Sequence, residues 1–124
     1  MSRHNTPLPD LVVANAATLS NVLTERGYPT APGMATDGFG FRDGDNITIE
    51  APAVLAEVAT VQVAELESGG TFDALVRGGA DVTIAAGKAV SIELLSFKAL
   101  RISLGGAAAA QRTFKVTKSS PIYG

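Results

Sequence analysis

The sequence predicts an all-β protein: an antiparallel, jelly-roll-like β-sandwich preceded by an extended N-terminal arm that carries a short helix. Two observations predict the sandwich. From Asp45 onward, short apolar runs separated by turn residues recur about every eight to twelve residues, the spacing of sandwiches and barrels. Each run also alternates apolar with polar residues at period two, so one face packs while the other stays wet. A third observation predicts the arm. Pro7, Pro9, Pro29 and Pro32, with glycines at 27, 33, 38, 40 and 44, interrupt any long element before residue 45. The expected division is an arm over 1–44, a sandwich over 45–119 and a tail over 120–124.

Taken in order, Leu11 to Ala14 can add a short strand to the arm. Asn15 then suits the N-cap of a helix near 16–26, with Ala16, Leu19, Val22 and Leu23 on one face. Arg26, Gly27 and Pro29 supply its stop signals. From Tyr28 to Asp45 no period is visible.

Seven strands are expected in the sandwich. Ile47 and Ile49 mark the first, and Ala59, Val61 and Val63 the second. Phe72 to Val76 and Asp81 to Ile84 follow the turns at Gly69-Gly70 and Gly78-Gly79. After a turn at Ala86-Gly87, Val90, Ile92 and Leu94 form the fifth. Leu100, Ile102 and Leu104 form the sixth, and Phe114 and Val116 the last. The basic residues of this third, Lys98, Arg101, Arg112, Lys115 and Lys118, are expected on a solvated face or rim.

With 124 residues the chain is about one domain long. Its apolar fraction of 46% overstates the core, because twenty of those residues are alanines. No apolar run reaches the ~18 residues a membrane-spanning helix needs, and MSRHNTPLPD lacks the apolar core of a signal peptide. Zero Cys removes disulfides and thiolate metal sites. A net charge of −2 with scattered Lys and Arg argues against direct nucleic-acid binding.

Catalytic chemistry finds no constellation. The single histidine, His4, lies in a proline-flanked tail, where a general base is not held in place. Gly79 to Lys88 approaches a phosphate loop, but Ala89 stands where Ser or Thr binds magnesium. Asp43 and Asp45 alternate as calcium ligands do, yet Ile47 breaks the series and a turn is expected there. No spacing singles out a carboxylate pair for glycoside hydrolysis among Glu50, Glu57, Glu65, Glu67, Asp73, Asp81 and Glu93. The expectation is a non-enzyme with no catalytic residues, no cofactor and no metal.

Assembly is where the apolar arm points. Leu8, Leu11, Val12, Val13, Leu19, Val22, Leu23, Tyr28, Phe39 and Phe41 are too many to leave in water and lack a partner of their own, so they are candidate subunit or lattice contacts. Ala108, in the Gly105–Ala110 tip GGAAAA, is a further candidate; the tip is either a plain surface turn or a close contact with a neighbour.

From about Ile47 to Lys118, the stretches Asp81–Gly87, Phe97–Ile102 and Ala109–Val116 carry a resemblance. The order resembles small β-sandwich virion structural proteins of tailed bacteriophages, the group of capsid cement (decoration) and head-spike base components. Ala99 and Leu100 stand where related sandwiches often have an aromatic. The resemblance implies a non-catalytic protein, made in the host cytoplasm and carried on the virion head surface. Its partners would be the major capsid protein lattice and further copies of itself, a trimer being favoured. The alternative is a glycan- or receptor-binding module of a phage spike or fibre; an enzyme subunit or chaperone-like domain comes third.

Overall fold

The computed structural model describes residues 3–24, 45–65, 71–93 and 97–121. Among these residues there are eleven strands and no helix. They are β1 (Arg3–Val13), β2 (Leu23–Thr24), β3 (Asn46–Glu50), β4 (Ala59–Ala64), β5 (Asp73–Ala74) and β6 (Val76–Arg77). The rest are β7 (Ala80–Asp81), β8 (Thr83–Ile84), β9 (Ala89–Glu93), β10 (Ala99–Leu104) and β11 (Arg112–Pro121). The protein is all-β, as expected, and every pairing is antiparallel.

The pairings nest. β1 pairs with β11, β2 with β10, β3 with β9 and β4 with β8, around the β6–β7 hairpin. That hairpin turns on Gly78 and Gly79, whose φ values of 61° and 81° suit the two left-handed positions of a two-residue loop. Two further pairings, β11 with β3 and β10 with β4, complete a sheet ordered β1-β11-β3-β9 and a sheet ordered β2-β10-β4-β5.

Alternation sets which residues face inward. On β3 Ile47 and Ile49 are buried, on β10 Leu100, Ile102 and Leu104, and on β11 Phe114 and Val116. Lys115 and Thr117, one residue out of phase, are exposed. One hydrophobic cluster draws on both sheets, with Leu8, Leu11, Ile47, Phe114 and Ile92 from the first and Leu23, Val61, Ile102 and Ile84 from the second.

The N-terminal segment differs from the expected arm. β1 is an edge strand of the first sheet, and Leu8, Leu11 and Val13 are 6%, 0% and 0% exposed within the chain's own core. Pro7 and Pro9 are compatible with this because an edge strand can spare an amide donor. The register slips between Leu8 and Leu11. Asn21 serves the displaced backbone there: its Oδ1 accepts from the Val12 amide at 2.7 Å and its Nδ2 donates to the Asp10 carbonyl at 3.1 Å.

The helix near 16–26 is absent over 16–24; residues 25 and 26 lie outside the described set. Asn15 and Ala16 form a turn instead, Leu19 bridges to Ser103, and Leu23–Thr24 pairs with Leu100 and Ala99. The physical reason is competition. An isolated helix of about ten residues is marginal, whereas the open side of β10 offers backbone partners. Ser20 makes the point: its amide donates to the Ile102 carbonyl at 3.0 Å, and its Oγ accepts from the Ile102 amide at 2.8 Å.

Candidate assembly surface

Four connections between strands meet at one end of the molecule: residues 14–22, 51–58, 85–88 and 105–111. Backbone hydrogen bonds tie them together. The Ala16 amide donates to the Ala108 carbonyl at 2.8 Å, and the Ala108 amide returns to the Ala17 carbonyl at 2.9 Å. Leu104 donates to Thr18 at 2.7 Å and Gly105 to Val58 at 2.8 Å, so the tip lies between residues 14–20 and 54–58. Gly87 donates to Pro52 and Ala51 to Lys88, each at 2.9 Å, which adds the fourth connection. Gly87 has φ 68° in the Ala86-Gly87 turn that the sequence predicts.

The alanine tip is therefore neither a plain turn nor, at Ala108, a surface. Ala108 is 3% exposed and joins the chain's own core, while Ala107, Ala109 and Ala110 face outward. Ala16 holds φ 68°, a left-handed conformation that an L side chain adopts at a cost of roughly 1–2 kcal/mol. Ala16→Gly should accordingly raise stability by about 1 kcal/mol, read as a higher denaturation midpoint at unchanged slope.

Arg112 fixes the tip's far side by pairing with Glu57, which corrects the expected placement of Arg112 on a solvated face or rim. Its Nε donates to Glu57 Oε1 at 2.9 Å and its Nη2 to Oε2 at 3.2 Å; Nη1 donates to the Val54 carbonyl at 3.1 Å. The two side chains are only 7% and 9% exposed. The cause is strand parity, since Arg112 shares the inward phase of Phe114 and Val116. That parity was the readable signal.

Hydrogen bonding from Arg112 holds the Glu57 carboxyl below its ordinary value of 4.5, against the opposing effect of desolvation; the Ala109 amide and the Arg112 charge add to the lowering. Because the folded state lowers this pKa, the pair's contribution is complete above about 4.5 and fades as pH falls through the depressed value. Glu57→Gln should be less stable than wild type at pH 7, with the gap closing in acid. Denaturant midpoints of both proteins from pH 7 to pH 3 check this, and a gap independent of pH would deny the pair its role.

What remains outward at this end is small and nearly uncharged. The four connections hold twelve of the chain's twenty alanines. Of its 10 Lys and Arg and 12 Asp and Glu, they hold one each, Lys88 and Glu57. They also carry Val54, Val58 and Leu19, exposed at 71%, 63% and 43%, three of the four large apolar side chains exposed among the described residues. Depletion of charge with exposed apolar groups marks the centre of protein interfaces.

The residues expected as contacts divide sharply. Leu8, Leu11, Val13, Leu23 and Ala108 are buried in the chain's own core, so their apolar character is spent internally. Val12 and Val22 are half-buried. Leu19 alone of the list stands exposed among the described residues, and Tyr28, Phe39 and Phe41 lie outside that set. Val54 and Val58 were missed because AVLAEV shows no period; two valines flanking a lone acid between strands were the signal.

Other chemistry does not converge among the described residues. No group of three or more His, Cys, Asp or Glu stands close enough to hold a metal ion. Asp45 is buried and partnered, and Asp43 lies outside the described set. The described aromatics offer no open stacking platform: Phe114 and Phe97 are buried, and the Arg101 guanidinium lies over Phe72, 4.0 Å from its ring centroid. No helix of the described residues is long and apolar enough to cross a membrane. Comparison with protein-family models, curated proteins and solved structures finds no match.

Proposed function

We propose that the two sheets close on each other as a jelly-roll sandwich, and that the chain is a non-enzymatic structural protein of a bacteriophage virion. The specific role is a capsid cement protein that binds the head exterior, bridges capsomers of the major capsid lattice and works as a homo-oligomer. The nested pairings support the fold reading. A long hairpin turned at Gly78–Gly79, rolled so that its last strand joins β3 and β10 joins β4, follows the jelly-roll path.

One observation carries the functional reading: a rigid, charge-depleted end built from four connections that presents side chains suited to packing rather than to chemistry. Cement proteins act through many repeated weak contacts, between copies as well as with the lattice, and a surface of this kind supplies one such contact per copy. The resemblance of residues 47–118 to phage virion sandwiches supplies the setting. Among the described aromatics, Phe72 under Arg101 and buried Phe97 and Phe114 favour this role over glycan binding, which rests on exposed aromatic faces.

The test is sedimentation of the purified protein with expanded heads of the tailed phage that encodes it. Saturable co-sedimentation and greater mechanical or thermal endurance of the decorated heads are expected. Protein that stays at the top of the gradient at every ratio would refute the role.

A further inference from the structure

We propose that the charge-depleted end is covered by the same end of a second copy of this chain, so that copies meet through residues 14–19, 53–58 and 105–110. The inference rests on the reading of this end as the assembly surface and names its partner.

Charge decides the occupant. Among the described residues the other outward faces carry charge: Glu50 and Lys115 stand opposite each other on β3 and β11, Arg77 and Asp81 flank the hairpin turn, and Glu93 ends β9. Such a face set against Val54, Val58 and Leu19 would lose its water without gaining a counter-ion. Within residues 14–19, 53–58 and 105–110 the one charge, Glu57, is already engaged by Arg112, so these residues offer no counter-ion. Lys88, exposed in the neighbouring connection at 85–88, is not among them. An uncharged surface suits this one, and each further copy brings that surface at equal concentration.

Shape and rigidity agree with charge. Gly105, Gly106 and Ala107 project little, so two such ends approach backbone to backbone around the valines. The backbone amides of Ala16, Gly105 and Ala108 are already bonded within the chain, so the surface is ordered before contact and little entropy is lost on association. In a self-matched contact a substitution acts on both partners, and an introduced charge meets or neighbours its own image.

The experiment uses the full chain, its Gly106→Asp and Val58→Glu variants, and single-cysteine variants of a protein that has no cysteine of its own. Gly106 is a clean position: a Cβ there meets nothing within 4 Å and its φ is not left-handed, so the fold tolerates the change. Light scattering of the wild type should give a mass above one chain of 12.7 kDa that rises with concentration. Either charged variant should weaken association by about tenfold or more, with unchanged circular dichroism. Under oxidation Ala107→Cys should give a covalent dimer where Lys115→Cys gives almost none.

A wild type that stays at one chain's mass throughout overturns the inference, as does an oligomer indifferent to both charged variants. Head binding is scored separately. A monomer whose co-sedimentation with heads is abolished by Gly106→Asp places the lattice on this end, ending the self-contact and keeping the cement role. A self-associating protein that never binds heads does the reverse.

Discussion

A chain that begins at Ala14, without β1, is expected to show no cooperative unfolding transition. β1 lines the β11 edge through nine register pairs and buries Leu8, Leu11 and Val13 in the common core. Fully burying such side chains stabilises by roughly 1.5–3 kcal/mol each, so the three together contribute about 5–9 kcal/mol. That is comparable with the whole stability of a typical domain, about 5–15 kcal/mol. The deletion also uncovers the ladder edge of β11 and strips Phe114 of its neighbour Leu11. Thermal circular dichroism checks this directly: a gradual, non-sigmoidal melt is expected. A sharp transition would show that the rest of the chain folds without β1 and would contradict its place in the common core.

Ala108→Arg is expected to cost about 3 kcal/mol or more, while Ala110→Arg, two residues along the same tip, stays within about 0.5 kcal/mol. Ala108 is 3% exposed, with its amide and carbonyl both bonded to residues 16–17. A long cationic side chain there must either force the tip off residues 14–20 or bury its charge beside the Arg112–Glu57 pair, and both are costly. Ala110 faces water and has room. Denaturant midpoints of the two variants at low protein concentration separate the cases, and equal effects would mean that the tip is loose.

These two expectations lie where the sequence was least readable. β3, β4, β9, β10 and β11 follow the alternation that predicts them, because one buried face imposes period two. β1 hides from that reading. Pro7 and Pro9 resemble breakers, and the slip between Leu8 and Leu11 puts its buried residues out of phase. The segment after it misleads for a different reason. Ala16, Leu19, Val22 and Leu23 happen to sit at helical spacing, while the decisive groups are polar: Ser20 bonds β10 and Asn21 mends the slipped backbone of β1.

The surface itself was half legible. Four consecutive alanines carry no mark that distinguishes buried Ala108 from its exposed neighbours; only the return of the chain past residues 16–17 decides it. Arg112, by contrast, was readable from parity with Phe114, and an inward cation demands a partner such as Glu57. Charge depletion across 14–22, 51–58, 85–88 and 105–111 was present in the letters. It gained meaning only once the strand pairings brought four distant connections to one end.

The most direct test of this account is amide hydrogen exchange at Ala16, Gly105 and Ala108 in the full-length protein. Their donors go to Ala108, Val58 and Ala17, the bonds that make a fixed surface from three connections. Protection approaching that of Ile102 in β10 is the predicted result. Exchange at the rate of an unstructured chain would show the tip to be a loose turn and would contradict a preformed assembly surface.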